Sequence, residues 1–310
     1  MTCFRRFRFP FGRQRPKGKE GRDNKVSEDP VSSPSRQQRH IPLFRRYIAE
    51  LRIPPFQIEE VDGRLIDIPD SFCAEPFGLC LLIKLLLLGS TFSIFLEGLL
   101  AMRPKYFYFA YLSHWSLIIT MAYFALSIYN TLRPPIVTGK NDATRLVKIT
   151  WALFAIAAPA ELLGTLLYWT IEFEKHNDLS YRIFMVHGAF MLLLFIEGFC
   201  LNRIPIRISQ QRFFFGFLGL YLIWLLLHDY LNIGDPTSQD DDGIYQSYRW
   251  MNQPSKTGII TAVIIVLLAP LTFALVWLLS LWSPPSSFNG NNRRFLSSRQ
   301  AREAFISPIV

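Results

Sequence analysis

Six long apolar runs decide most of what this chain can fold into. They cover about Leu79 to Met102, Tyr106 to Leu132, Leu146 to Ile171, Tyr181 to Leu201, Phe213 to Leu231 and Gly258 to Trp282. Each is near the length of roughly 20 residues that an α-helix needs to cross a bilayer. A helix satisfies its own backbone in lipid, and these runs lack the apolar–polar alternation of a barrel strand. The pattern therefore predicts an all-α membrane protein, a six-helix transmembrane bundle. The fourth run is shorter and more polar than the rest.

Composition agrees. Half of the 310 residues are hydrophobic, 27 of them Phe, and only 24 acids and 33 bases are present to solvate that surface. This argues against an ordinary soluble enzyme. Four Cys are too sparse for a disulfide scaffold. Residues 1–78 carry 15 of the 33 Lys and Arg. Within them, Arg13 to Arg39 has almost no large apolar residue, so burial cannot offset the entropy of ordering. A disordered basic N-terminal tail is predicted there. Phe44, Tyr47, Ile48 and Leu51 then recur at helical spacing until Pro54-Pro55, which reads as a short amphipathic juxtamembrane helix. No apolar stretch follows the first bases closely enough for a signal peptide. A basic arm also suits nucleic acid, but beside membrane spans lipid headgroups are the expected anion, and no nucleic acid partner is expected. The expected organisation is a cytosolic tail over 1–78, a six-span domain over 79–283 and a C-terminal tail over 284–310.

Loop charges predict orientation. With six spans, the N-tail, the 2–3 loop (Arg133, Lys140, Arg145, Lys148), the 4–5 loop (Arg203, Arg207, Arg212) and the C-tail (Arg293, Arg294, Arg299, Arg302) share one side, holding 26 bases. The other side has six: Arg103, Lys105, Lys175, Arg182, Arg249 and Lys256. The bias places both termini in the cytosol. Endoplasmic reticulum, another endomembrane or the plasma membrane all fit.

Polar groups within the spans carry the functional signal, since they are expensive at membrane depth. They are Glu97, Ser113, His114, Glu161, His187, Glu197 and, at a span end, His228-Asp229; Lys84 lies near the start of the first run. Counted from the exoplasmic starts of runs two and four, Ser113 and His187 fall roughly 10 Å and 9 Å deep at 1.5 Å per residue. A nucleophilic Ser needs a base within hydrogen-bond reach, and neutral His is the usual one. The alternative is that Ser and His hold helices together by hydrogen bonds. No HExxH, GxSxG, Walker loop, GxGxxG or zinc-spaced Cys pair occurs, which removes most soluble enzyme classes. No metal or redox cofactor is expected.

Tyr111-Leu112-Ser113 within the segment Tyr106 to Trp115 resembles the opening of span two in the rolling stone proteins and the related androgen-induced and androgen-dependent membrane hydrolases. Those proteins carry Tyr-Leu-Thr there; Ser113 keeps the hydroxyl. Trp151 with Leu167 to Thr170 is similar to the family's third span. His187 with Glu197 ten residues on, followed by Ile204-Pro205-Ile206-Arg207, is similar to its fourth. Gly243-Ile244-Tyr245 with Trp250 and Pro254 resembles the rolling stone pattern before the last span. The likeness covers roughly residues 80 to 282. It implies an enzyme that hydrolyses fatty acid esters of hydroxy fatty acids, with Ser113 as nucleophile and His187 as base. Membrane lipids and a lipid ester substrate are then the partners. His114, Trp115, Tyr168, Trp169 and Glu172 are the expected substrate-binding residues around that pair. The rolling stone branch implies the alternative, a non-catalytic protein of membrane organisation or fusion. A small transporter is a third reading, weakly served by Pro159 and Pro270 inside spans.

Overall fold

The computed structural model describes residues 43–52, 54–56, 59–61, 64–66, 77–102, 105–132, 145–172, 181–202, 204–231, 233, 244–245 and 249–282. The predicted disordered stretch and the C-terminal tail lie outside them. Helix α1 (Leu43–Leu51) stops just ahead of Pro54-Pro55, as its sequence requires. A small antiparallel pair of strands, Glu59–Val61 and Arg64–Ile66, follows. Among the described residues the remaining regular structure is helical, apart from an isolated bridge at Tyr245.

Five helices are long and apolar enough to cross a membrane: Gly78–Ala101, Leu112–Leu132, Arg145–Ile171, Ile208–Tyr230 and Pro254–Trp282. We call α2 the helix Phe77–Ala101, α3 Leu112–Leu132 and α4 Arg145–Leu167, which continues into a π turn at Tyr168–Glu172. The fourth apolar run forms a broken helix, α5, built of Tyr181–Phe184, Met185–Ala189, Phe190–Phe195 and Ile196–Leu201, the second and last of these being π-helical. Its apolar part, Met185–Leu201, is shorter than the other five. Helix α6 is Gln211–Tyr230, entered through a 3-10 turn at Ile208–Gln210. Helix α7 runs Pro254–Trp282 and widens to a π turn at Val263–Leu268. Pro270 lies just beyond that turn and has no N–H to give a carbonyl one turn back; the wider turn accommodates it.

The outer surface of this bundle is apolar. Leu86, Phe92, Leu220, Ile223 and Val266 are all more than half exposed. A water-soluble monomer rarely shows so continuous an apolar surface, and helices apolar all round belong in lipid or in a core. Inside, Phe154, Ala155, Ala157, Ala158 and Ala160 make α4 the fully buried centre, contacting α3, α5, α6 and α7. Small residues let neighbouring backbones approach closely where lipid supplies no hydrophobic drive. Gly198 of α5 is the tightest case: a Cβ there would lie 2.1 Å from the Phe154 ring.

The helices alternate direction, which gives the bundle two chemically distinct ends. Lys84 near the start of α2 meets Thr131 at the end of α3, and Asn130 meets Thr150 at the start of α4. Trp151 donates its indole N–H to the Pro205 carbonyl beyond α5. At the same end Tyr47 of α1 donates to Gln211 at 3.3 Å, and Trp277 of α7 donates to Glu50 of α1 at 2.8 Å. This is the basic end, where Arg52, Arg145, Arg207 and Arg212 lie. The opposite, aromatic end holds the close of α4, the start of α5 and the start of α3. Helix α5 connects the two ends, with His187 against the close of α4 and Phe199 against Phe154.

Candidate functional site

The most deeply buried ionisable groups form one network toward the basic end. Lys84, Ser127, Glu197 and Asn202 are fully buried, as is Tyr123. Glu197 receives Tyr123 on one carboxyl oxygen. On the other it receives Ser127 at 2.8 Å and the Asn202 amide at 2.6 Å. The Lys84 ammonium stands 3.8 Å from that second oxygen and donates to Thr131 at 2.8 Å. Asn202 also donates to Tyr123 at 2.9 Å. Each helix delivers its part for a local reason. Ser127 and Thr131 are one turn apart on α3, so they share a face. Glu197 and Asn202 are drawn together by the wide turn closing α5, where the Asn202 backbone N–H donates to the Glu197 carbonyl at 2.9 Å. An ionised carboxylate accepts several donors at once, and here both of its oxygens do. A buried charge pair is tolerable only under such conditions.

A second polar pair, Thr120 with Glu161 at 3.2 Å, joins α3 to α4 between this network and the aromatic end.

At the aromatic end two π turns meet. His187 leaves helical geometry (φ −107°, ψ 20°) within the Met185–Ala189 turn. Its ring stacks face to face on Tyr168, at 3.7 Å between centroids and 1° between planes. Trp169 donates its indole N–H to the His187 carbonyl at 2.7 Å. That carbonyl is one a regular helix would spend internally, so the break and the tryptophan bond belong together. π turns inside α-helices are frequent at functional sites, and the sparsely occupied bridge region is where many active-site residues sit. The start of α3 also packs on this part of α5.

The expected site residues divide accordingly. His187, Tyr168 and Trp169 are brought together. Ser113 lies half-buried on the first turn of α3, its carbonyl accepting Ser116 Oγ at 2.9 Å. Among the described residues no hydrogen bond joins Ser113 to His187. The depth estimate for Ser113 changes as well. Residues Lys105–Ala110 form a separate 3-10 turn, and α3 starts only at Leu112. Burial explains the break: Phe107, Tyr108 and Ala110 turn inward.

His114 and Trp115 belong to a neighbouring aromatic cluster. His114 Nδ1–H donates to the Tyr108 carbonyl at 2.5 Å, and its ring stacks on the Tyr108 ring at 3.8 Å. A carbonyl only accepts, so the proton sits on Nδ1. Trp115 donates to the Phe109 carbonyl at 2.7 Å and stands edge-on to Tyr221. Tyr245 accepts the Leu112 backbone N–H at 3.3 Å, and Tyr221 donates to the Ala110 carbonyl at 2.9 Å. These bonds pin the short turn ahead of Ser113. The backbone of Glu172 closes the π turn of α4. His228 is buried near Phe107 and Trp224, while Asp229 accepts the Met251 backbone N–H at 2.9 Å.

Sequence reasoning named Lys84 and Glu197 but missed their pairing. The two lie on α2 and α5, 113 positions apart, and only the fold joins them. Ser127 and Asn202 carried no signal beyond being polar near apolar runs.

No family model, no curated protein and no solved structure matches this chain.

Proposed function

We propose that this chain is a six-span integral membrane protein with both termini cytosolic, and that it hydrolyses lipid esters within the bilayer. Five helices have the length and apolarity to span, and the shorter α5 supports a sixth crossing by packing along α4 from His187 on Tyr168 to Phe199 on Phe154. The bias of 26 bases against six supports the orientation. An integral endomembrane or plasma-membrane location follows from the same features.

In this reading Ser113 Oγ attacks the acyl carbonyl while its proton passes to the neutral imidazole of His187. Collapse of the tetrahedral intermediate expels the alcohol, which takes that proton from His187. Water then repeats the sequence to release the acid and restore Ser113. A fatty acid ester of a hydroxy fatty acid is the substrate that the resemblance to androgen-related hydrolases implies. Tyr168 and Trp169 hold the base, and His114 and Trp115 flank the nucleophile. The observation that carries the proposal is His187 at the meeting of two π turns, fixed through its ring and carbonyl beside the start of α3. Catalytic hydrogen bonds often tighten only once substrate is bound.

The deciding test is labelling of the purified protein by a fluorophosphonate. Labelling that disappears in Ser113→Ala and persists in Thr120→Ala supports the hydrolase. A monodisperse protein with neither labelling nor ester turnover favours the second reading, a non-catalytic membrane organiser. That reading draws on the buried network, in which Tyr123, Ser127, Asn202 and Lys84 gather around both oxygens of Glu197. Orientation is tested separately: a glycosylation acceptor placed near Asp240 should be modified, and one in the N-tail should not.

A further inference from the structure

At the basic end, α1 does not lie flush against the bundle. Tyr47 and Glu50 dock it through Gln211 and Trp277. Beyond Tyr47 it stands away from the start of α6, leaving an open cleft of about 630 Å³. Arg52 and Arg212 line this cleft with Tyr47, Ser209, Gln211 and Phe215, and among the described residues no acidic side chain lines it. Ser209 Oγ is buried there and has no hydrogen-bond partner among the described residues. The cleft also borders the start of α6 and its leading 3-10 turn, where the helix dipole adds positive potential.

We propose that this cleft binds the phosphate of an anionic phospholipid taken from the cytosolic leaflet. The proposal rests on the membrane embedding and orientation argued above, and it is independent of the hydrolase chemistry. Two guanidinium groups and a buried, unpartnered hydroxyl match a phosphate, which offers several strong acceptor oxygens. The surroundings choose lipid over a free anion. Leu43, Phe44 and Ile48 project from α1 away from the protein, all at least 40% exposed, beside exposed Arg45 and Arg52. A short helix with an apolar outer face and flanking arginines lies in a membrane interface. Phe215 and Leu51 give the cleft an apolar wall for the start of an acyl chain. Sulfur, metal or nucleophilic chemistry has no place in this lining.

The test is retention of a non-hydrolysable dialkyl-ether phosphatidic acid by the full-length protein in detergent, read by native mass spectrometry. Phosphatidic acid should be held in preference to the matching phosphatidylcholine. Arg52→Gln with Arg212→Gln should reduce retention about tenfold or more, since each base near an anionic headgroup contributes on the order of a factor of five. Lys256→Gln, at the aromatic end, should leave retention unchanged. Ser209→Trp, which fills the cleft and keeps both charges, should also abolish retention, so a double variant that aggregates does not remove the test. Equal retention of both lipids, or an equal loss in Lys256→Gln, overturns the site. Displacement of the lipid by inorganic phosphate at similar concentration assigns the cleft to a soluble phosphate and overturns the lipid. The ether linkages make these results independent of ester cleavage, and glycosylation mapping reports the orientation separately.

Discussion

The buried network near the basic end and the aromatic layer opposite are both made of polar groups among apolar helices, yet they are built differently. In the network side chains bond mainly to side chains, most of them on another helix, and Glu197 is held by Tyr123, Ser127, Asn202 and Lys84 together. In the aromatic layer, side chains bond to main-chain carbonyls: Trp115 to Phe109, His114 to Tyr108, Trp169 to His187 and Tyr221 to Ala110. The first arrangement ties helices to one another. The second stabilises places where helices are interrupted. A network of this kind resists change, because losing a member strands another in a low dielectric. An interrupted helix end presents groups that regular hydrogen bonding would otherwise consume. On this comparison the network secures the bundle, and the aromatic layer is where chemistry is to be sought.

The comparison breaks first if the network proves dispensable. Glu197→Ala removes the acceptor and leaves Lys84 with a buried, unmatched charge, which should cost about 3–5 kcal/mol. Thermal unfolding in detergent should shift down strongly, or monodisperse protein should be lost. Replacing both partners, Lys84→Met with Glu197→Leu, should recover much of the loss, because a buried ion pair exchanged for apolar groups is often neutral. A double variant as unstable as the single would show that the ionic pair is not what holds these helices.

The opposite pattern is expected at the aromatic layer. His187→Gln should lower ester turnover on the order of 10²-fold, equivalent to about 2.7 kcal/mol of barrier, while the unfolding temperature stays close to that of the parent. A general base acts only as neutral imidazole. Turnover should therefore fall once the pH is low enough to protonate that imidazole. Equal losses of turnover and stability would move His187 into the same category as Glu197.

Packing sharpens the contrast at two glycines. A Cβ on Gly198 would meet the Phe154 ring at 2.1 and 2.2 Å, in the fully buried centre next to Glu197. Gly198→Ala should destabilise by about 1–3 kcal/mol, the usual cost of overpacking. A Cβ on Gly98 would approach Tyr108 Cε2 at 2.8 Å. Tyr108 carries the carbonyl and ring that hold His114, so Gly98→Ala should disturb the turn ahead of Ser113 more than the bundle. Measuring turnover and unfolding for both variants separates the two ends without touching a polar group.

The positions of the spans were legible because twenty apolar residues in a row have few alternatives. The fourth apolar run was the weak point, and the structure shows why: Met185–Leu201 is short and carries two π turns, so its helical period drifts. The start of span two was misplaced for a related reason. Phe107, Tyr108 and Ala110 are as apolar as any lipid-facing residue, but they turn inward as a 3-10 segment. Hydropathy reports that a residue avoids water and does not report which apolar phase it enters. The spacing of Phe44, Tyr47, Ile48 and Leu51 foretold α1. It did not reveal that Tyr47 and Glu50 would dock while Phe44 and Ile48 faced outward.

The smallest effect concerns that docking, and it tests whether α1 belongs to the bundle's cooperative unit. Trp277→Phe keeps a ring for the edge-on contact with Tyr47 but removes the 2.8 Å bond to Glu50. A single bond of this kind contributes about 0.5–1.5 kcal/mol net, or somewhat more with a charged acceptor. Tyr47 retains its own bond to Gln211, and the Arg207 and Gln210 side chains still hold the carbonyls of Pro54 and Pro55. The loss should therefore stay local. Hydrogen exchange over residues 43–51 should quicken by about a factor of ten, which is what 1.4 kcal/mol of easier opening produces. Exchange in α4, at the centre, should not change. If α4 also quickens, the α1 contact is part of what holds the helices together, and the basic end owes its stability to more than the Lys84–Glu197 network.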